Sequence, residues 1–194
     1  MRKKQFVNRT FVTLLILVVL LASSGFTALA KSMQVGIYTT TDMHGRVYGL
    51  DPITEGEVSN SFLKVASAMK VERDAMDDTI LIDVGDVIQG TPITSYNVNV
   101  EGGKENPVAL ALRHIGYDAF VIGNHEFNFN MEVQGIFYDM LRDITGRLPG
   151  KPVNVLGANY IDIASQEPRL DPYIIRTFPL ADGTEFKVGV LGFG

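Results

Sequence analysis

The sequence contains no cysteine. Disulfide bonds and thiolate chemistry are therefore excluded, and so is lipid attachment through a cysteine at a lipoprotein cleavage point. Histidine is scarce as well, since the 194 residues include only His44, His114 and His125. The imidazole groups that this sequence itself can supply to a site are limited to these three side chains.

The N-terminus has the layout of a secretory signal peptide. Basic residues between Arg2 and Arg9 precede an almost unbroken apolar run over residues 11–22, and Ala28-Leu29-Ala30 follows with small residues at both ends. We predict a signal peptide over residues 1–30 and export to the periplasm, cell wall or exterior. The apolar run is shorter than the ~20 residues of a bilayer span, so stable membrane insertion is not expected after cleavage. An uncleaved membrane anchor is the alternative.

Basic residues are few in the predicted mature part. Cleavage would leave 13 of the 17 basic residues and all 22 acidic ones, a net charge of −9. This balance argues against binding polymeric nucleic acid, which depends on clustered Lys and Arg. A small phosphate substrate remains compatible if metal ions supply the positive charge.

The remaining sequence alternates strand-like and helix-like segments, which predicts an α/β domain with a largely parallel sheet. We predict strands over 33–41, 80–84, 117–122, 153–157, 173–178 and 186–191, helices over 57–74, 106–115 and 132–144, and a loop over 90–103 with about one helical turn. The last apolar strand is followed only by residues up to Gly194, so we expect residues 31–194 to be the N-terminal part of a larger domain.

Three polar clusters directly follow predicted strands. They are Asp42-Met43-His44, Gly85-Asp86 and Gly123-Asn124-His125-Glu126. The carboxyl ends of parallel strands meet at one crevice of an α/β sheet. Carboxylate, imidazole and carboxamide groups together suit a divalent metal, so the pattern predicts metal-assisted hydrolysis.

Two of the three clusters have a simpler explanation when each is taken alone. Asp42 and His44, two apart at a strand end, would face one metal ion, or would be a turn aspartate and a surface histidine. Asp86 would bridge two cations, or would serve as a turn or helix cap. Asn124 and His125 are costly at the end of a buried strand unless they have partners, so the third cluster is the strongest.

The clusters, in this order, resemble those of the calcineurin-like metallophosphoesterases. Thr41–Gly45, Gly85–Gly90 and Gly123–Phe127 resemble in particular the exported branch of 5′-nucleotidases and 2′,3′-cyclic-nucleotide 2′-phosphodiesterase/3′-nucleotidases. The resemblance covers about residues 33–194. It implies a four-layer α/β/β/α sandwich, incomplete at the C-terminus of this chain.

The resemblance also implies the roles of individual residues. Asp42 and His44 would bind a first divalent metal ion, Asp86 would bridge to a second, and Asn124 would bind the second ion. His125 would stabilise the transition state or protonate the leaving oxygen. Mixed nitrogen and oxygen ligands allow Mn, Zn, Fe or Co. The substrate would be a nucleotide or cyclic nucleotide.

The chain departs from the family pattern in two ways. The 5′-nucleotidases usually carry an aspartate that orients the catalytic histidine where this chain has Asn128, which favours the 2′,3′-cyclic phosphodiesterase group. The family's later histidine, its Gly-His-x-His segment and its nucleoside-binding domain have no counterpart here. His114 is expected to be a solvated residue at a helix end.

Three alternatives therefore stay open. The protein would be a 2′,3′-cyclic-nucleotide 2′-phosphodiesterase/3′-nucleotidase or a 5′-nucleotidase. It would otherwise be a non-catalytic product that binds at most one metal weakly. A surface adhesion module is a further possibility that rests on export alone.

Overall fold

The computed structural model describes residues 32–194. The predicted signal peptide over residues 1–30 lies outside the described residues. Among the helices of the described part, none has the length and apolar character required to cross a membrane.

The described residues form an alternating series of strands and helices. The strands are Val35–Thr40 (β1), Asp78–Asp83 (β2), Ala119–Val121 (β3), Asn154–Leu156 (β4), Tyr173–Pro179 (β5) and Glu185–Leu191 (β6). The α-helices are Phe62–Ala75 (α1), Pro92–Asn99 (α2), Pro107–Ile115 (α3) and Met131–Arg142 (α4), and a short 3₁₀ helix covers His125–Asn128.

The first four strands form one parallel sheet in the order β1-β2-β3-β4. The strands β5 and β6 pair antiparallel as a hairpin, with Tyr173 opposite Leu191. Each neighbour in the parallel sheet is also the next strand along the chain, so every connection crosses the sheet in the same direction. The predicted α/β class and parallel sheet are confirmed.

Alternation along the central strands gives the sheet two apolar faces. Leu81 and Phe120 lie in a core with residues of α1, α3 and α4. Ile80, Ile82 and Val121 face the other side and pack with Phe178 of the hairpin. The described layers are therefore helices, parallel sheet and hairpin, which is consistent with the predicted sandwich.

Capping residues set where the helices begin. Asn106 accepts hydrogen bonds from the N–H groups of Val108 and Ala109, so α3 begins at Pro107 as predicted. The helix predicted from residue 57 begins only at Phe62, because the Ser61 side chain caps it by accepting from Lys64 N–H.

The segment over residues 90–103 contains more helix than the sequence predicted. The helix α2 spans eight residues from Pro92. Thr91 and Thr94 form a reciprocal capping box, and Pro92 occupies a tolerated first-turn position. Local capping therefore produces a helix where apolar periodicity is weak.

Candidate active site

The three polar clusters lie together at the carboxyl ends of β1, β2 and β3. Backbone hydrogen bonds join the first two, since Asp42 N–H donates to Gly85 O (3.2 Å) and His44 N–H to Asp86 O (2.9 Å). The third joins through His125 N–H, which donates to Asp86 Oδ1 at 2.7 Å. Because β1, β2 and β3 are neighbours in one parallel sheet, their ends deliver these residues to one crevice.

Asp42 and His44 form a close pair, although not by strand alternation. The strand ends at Thr40, and both residues have positive φ, 53° and 47°. This left-handed loop brings His44 Nε2 to 3.9 Å from Asp42 Oδ1. Positive φ at a residue with a side chain costs of order 1–3 kcal/mol and concentrates at functional sites.

Asp86 is also left-handed, with φ of 61°, and the residue is only 8% exposed. The loops that carry Asp86 and Asn124 pass very close to each other, and a glycine in each loop makes this possible. A Cβ on Gly85 would lie 2.3 Å from Gly123 N, and a Cβ on Gly123 would lie 2.4 Å from Asp86 Oδ1. Both positions therefore require glycine.

Glu126 is fully buried and holds the second and third clusters together. Its Oε2 accepts hydrogen bonds from the N–H groups of Asp86 and Gly123, both at 2.9 Å. Its Oε1 accepts from Val87 N–H at 2.8 Å and Ile88 N–H at 3.4 Å. A carboxylate that accepts several backbone N–H groups is strongly bound, so Glu126 fixes the loop that carries Asp86.

His125 lies beside His44, with the two rings edge to face and their centroids 5.1 Å apart. His125 Nδ1 lies 2.8 Å from Gln89 Oε1 and 2.9 Å from Asn128 Nδ2. Asn124 is exposed and its side chain makes no capping bond to the 3₁₀ helix. The amide oxygen of Asn124 is therefore not used within its own helix.

A buried carboxyl group lies beneath the site. Asp83 accepts hydrogen bonds from Thr40 Oγ1 (2.6 Å) and Gly85 N–H (2.9 Å). Burial raises the pKa of Asp83 to about 7, against these two hydrogen bonds, which lower it. The hydroxyls of Tyr117 and Thr40 lie 2.9 Å apart and continue the network.

A cleft of about 430 Å³ borders the site on the β1 side. Gly45, next to His44, contributes to its wall together with Thr91. The rings of Tyr48 and Tyr96 line it and stay exposed, Tyr96 at 57%. The cleft is largely apolar and has these two tyrosines among its lining residues.

The structure separates His114 from this site. His114 is an exposed residue in the last turn of α3. Within residues 32–194, no three His, Asp or Glu side chains are arranged to hold a metal ion. The carboxylate and imidazole donors still match a divalent cation in chemical type, and Asp42 with His44 supplies a pair of them.

Two residues of the site were not identified from the sequence. The sequence places Glu126 in the third polar cluster and Gln89 in the Gly85–Gly90 motif, but assigns no role to either residue. A glutamate beside glycine-rich turns is a signal for Glu126, because such turns present backbone N–H groups to an anion. No local signal identifies Gln89, whose partners lie 36 and 39 residues away.

Comparison with known proteins identifies relatives, although no protein-family model matches the chain. The 2′,3′-cyclic-nucleotide 2′-phosphodiesterase/3′-nucleotidase of Yersinia enterocolitica is 28% identical over 189 residues, 94% of this chain and 28% of that protein. The 5′-nucleotidase of Rattus norvegicus is 30% identical over 173 residues, 84% of this chain and 27% of that protein.

A third relative is known in sequence and in structure. The trifunctional nucleotide phosphoesterase protein YfkN of Bacillus subtilis is 31% identical over 175 residues, 84% of this chain and 11% of that protein. The crystal structure of calcineurin-like phosphoesterase YfkN matches with a TM-score of 0.68 and 28% identity, covering 84% of this chain and 49% of the other.

The chain spans between 11% and 28% of the length of these curated relatives. The relatives found by sequence and the structure found by fold are all phosphoesterases or nucleotidases. The chain is therefore homologous to the calcineurin-like phosphoesterases of the 5′-nucleotidase and 2′,3′-cyclic-nucleotide phosphodiesterase family.

Proposed function

We propose that this chain is part of an exported, metal-dependent phosphoesterase that hydrolyses nucleotide phosphoesters. Residues 1–30 would direct export, and residues 31–194 would be the N-terminal part of the metallophosphoesterase domain. The observation that carries the proposal is the meeting of Asp42, His44, Asp86 and His125 at one sheet edge. The names of the relatives favour 2′,3′-cyclic-nucleotide 2′-phosphodiesterase/3′-nucleotidase activity.

In this proposal the polar clusters hold two divalent metal ions. Asp42 and His44 would hold the first, Asp86 would be shared between the two, and Asn124 would contribute to the second. Bound there, the ions would supply positive charge against phosphate oxygens and lower the pKa of a water molecule. Further ligands are needed beyond this set, since the described residues bring together no group of three.

The side chains of the chain itself would orient the substrate. His125 would act at the phosphate or at the leaving oxygen. Its ring lies beside that of His44, a proposed metal ligand, so it would be close to a phosphate bound at the metal site. Asn128 and Gln89 would hold the His125 ring in place. The tyrosine-lined cleft next to Gly45 would take the apolar part of the substrate.

A 5′-nucleotidase is the second candidate, favoured by the rat relative at 30% identity. Asn128 is the residue on which the preference for cyclic nucleotides depends. The variant Asn128→Asp is expected to raise turnover of 5′-AMP relative to 2′,3′-cyclic AMP. An unchanged ratio would remove Asn128 as a reason for preferring the cyclic substrate and leave only the names of the relatives.

Metal binding and hydrolysis together test the proposed function. We expect isothermal titration calorimetry of the protein that carries this chain to show Mn²⁺ binding, with affinity lost in His44→Gln and kept in His114→Gln. Both variants remove one imidazole, but His114 lies away from the site. In the protein that carries this chain, 2′,3′-cyclic AMP hydrolysis should follow the same pattern.

The non-catalytic alternative makes a different prediction. It expects weak binding of one metal and no turnover of 2′,3′-cyclic AMP, 3′-AMP or 5′-AMP under any metal tested. Equal loss of Mn²⁺ affinity in His44→Gln and His114→Gln would instead show that binding is not at the proposed site.

A further inference from the structure

Gln89 contacts both histidines of the site, through different groups. Its backbone carbonyl oxygen lies 3.2 Å from His44 Nδ1. Its side-chain Oε1 lies 2.8 Å from His125 Nδ1 and 2.7 Å from Asn128 Nδ2. One residue therefore faces the Nδ1 atom of both imidazoles.

The three groups around His125 form a closed triangle, since Asn128 Nδ2 also lies 2.9 Å from His125 Nδ1. If Nδ1 carried a lone pair, it would face the lone pairs of Gln89 Oε1 at 2.8 Å, which is repulsive. If Nδ1 carries a proton, Gln89 Oε1 accepts from both Nδ1 and Asn128 Nδ2, which matches its two lone pairs. That form makes two hydrogen bonds to Gln89 Oε1 and leaves Nδ1 and Asn128 Nδ2 as neighbouring donors, whereas the other form makes one hydrogen bond, from Asn128 Nδ2. With these amide orientations the geometry therefore favours the Nδ1–H form of His125.

The tautomer of His44 follows from a single contact, with a backbone carbonyl oxygen. A backbone carbonyl oxygen only accepts hydrogen bonds, so His44 Nδ1 must donate to Gln89 O. A neutral imidazole protonated at Nδ1 keeps its lone pair at Nε2. That Nε2 atom is the one that lies 3.9 Å from Asp42 Oδ1.

The backbone around Gln89 is held by its neighbours. Gly90 has φ of 128°, and a Cβ there would lie 2.7 Å from His44 Cβ. On the other side, Val87 N–H and Ile88 N–H donate to the buried Glu126 carboxylate. The carbonyl oxygen of Gln89 is consequently presented to His44 by a segment fixed at both ends.

We propose that Gln89 is a positioning residue that fixes the tautomer of both histidines, through its backbone carbonyl for His44 and its side-chain carbonyl for His125. Asn128 acts through Gln89, because its amide donates to the same Oε1 atom. His44 is thereby kept with the Nε2 lone pair that a metal ligand needs, and His125 keeps Nε2 for a substrate oxygen. The catalytic consequence rests on the proposed function, whereas the tautomers do not.

Long-range ¹H–¹⁵N NMR of the histidine-labelled chain 1–194 tests the proposal, recorded at a pH where imidazole is neutral. The chain has only three histidines, so each gives its own signals, and the exposed His114 serves as an internal reference. We expect the Nδ1–H form for His44 and His125. An Nε2–H form of His125 in the unaltered chain would overturn the proposal.

Two substitutions separate the side chain from the backbone of Gln89. In Gln89→Met, which keeps length and removes the acceptor, His125 should become a mixture of tautomers while His44 stays Nδ1–H. Gln89→Glu retains an acceptor oxygen and should keep His125 in the Nδ1–H form. Gln166→Met, at an exposed glutamine, is the matched control and should change neither histidine.

Several outcomes would refute the proposal. They are an unchanged His125 in Gln89→Met and a Gln89→Glu chain that behaves like Gln89→Met. If Gln89→Met fails to fold, the signals of both histidines lose their dispersion, and Gln89→Glu then decides the question alone. A His44 tautomer that changes together with His125 in a folded variant would refute the separate role of the backbone carbonyl.

Kinetics then separate this proposal from the proposed function. In the active phosphoesterase, Gln89→Met should lower kcat by about 10-fold to 100-fold, the range found when a metal-ligating histidine loses its outer-shell partner. KM should stay unchanged, and Gln89→Glu should recover part of the rate. Correct tautomers without hydrolysis by the unaltered protein would refute the phosphoesterase alone, and hydrolysis with the wrong tautomers would refute the role of Gln89 alone.

Discussion

Glu126→Gln is expected to destabilise the domain by about 3 kcal/mol. The carboxylate accepts four backbone N–H groups, two at each oxygen. A glutamine has one carbonyl oxygen, so its NH₂ group must face two N–H donors whichever way the amide is oriented. The change therefore removes hydrogen bonds and also places donors against donors in a fully buried position.

The distances determine which pair is lost. The Oε2 bonds to Asp86 and Gly123 are both 2.9 Å, whereas the Oε1 pair includes the weaker 3.4 Å contact with Ile88. The amide oxygen should therefore take the Oε2 position. One strong and one weak bond are lost, each charge-assisted bond is worth ~1.5–3 kcal/mol, and a buried orphan donor adds to the cost.

Urea unfolding followed by circular dichroism measures this loss. Glu167→Gln, at an exposed glutamate, is the matched control and should stay within about 0.5 kcal/mol of the unaltered chain. The slope of the unfolding free energy against urea should not change. A loss below about 1 kcal/mol for Glu126→Gln would show that the loop at Asp86 is held by other contacts.

Three further predictions concern a buried acid, a buried base and the cleft. The pKa of Asp83 is raised to about 7 in the folded protein, so between about pH 4 and 7 the folded state holds a proton that the unfolded chain has lost. The free energy of unfolding should therefore fall as the pH rises through this range. Asp83→Asn should remove up to about 4 kcal/mol of that fall in pH-dependent urea titrations, whereas Asp139→Asn, at an exposed position, should not. Arg113→Met should lower the free energy of unfolding in urea by about 3–5 kcal/mol, because the buried guanidinium donates to five carbonyl groups. The control Arg147→Met, at an exposed arginine, should change it little. Tyr96→Leu should raise KM for a nucleotide about fivefold at constant kcat, through ~1 kcal/mol of lost aromatic contact, and an unchanged KM would exclude the cleft from binding.

Prediction from sequence succeeded where local chemistry decides the structure. The Asn106 cap and Pro107 define α3 in the sequence as they do in the fold. The strand ends were predicted well enough to bring Asp42, Asp86 and His125 to one edge, because parallel neighbours end on the same side. Periodicity and capping are short-range properties, and these elements depend on little else.

Other features depend on contacts between distant segments. Glu126 finds three of its four partners 38 to 40 residues earlier in the chain, and Gln89 reaches His44 across 45 residues. The pairing of Asp42 with His44 was predicted for the wrong reason, since a left-handed loop replaces the extended strand. These arrangements exist only once the sheet has brought the loops together.

The left-handed residues Asp42, His44 and Asp86 set stability and activity against each other in this chain. Each position holds a side chain in a conformation that glycine adopts without strain, at a cost of order 1–3 kcal/mol. Asp42→Gly, at an exposed position, would tend to strengthen the fold while removing a proposed metal donor, whereas Asp86→Gly would also lose the hydrogen bond from His125 N–H. Selection for thermal stability alone should therefore erode the polar crevice first, so stabilising this protein while keeping its function would require substitutions elsewhere.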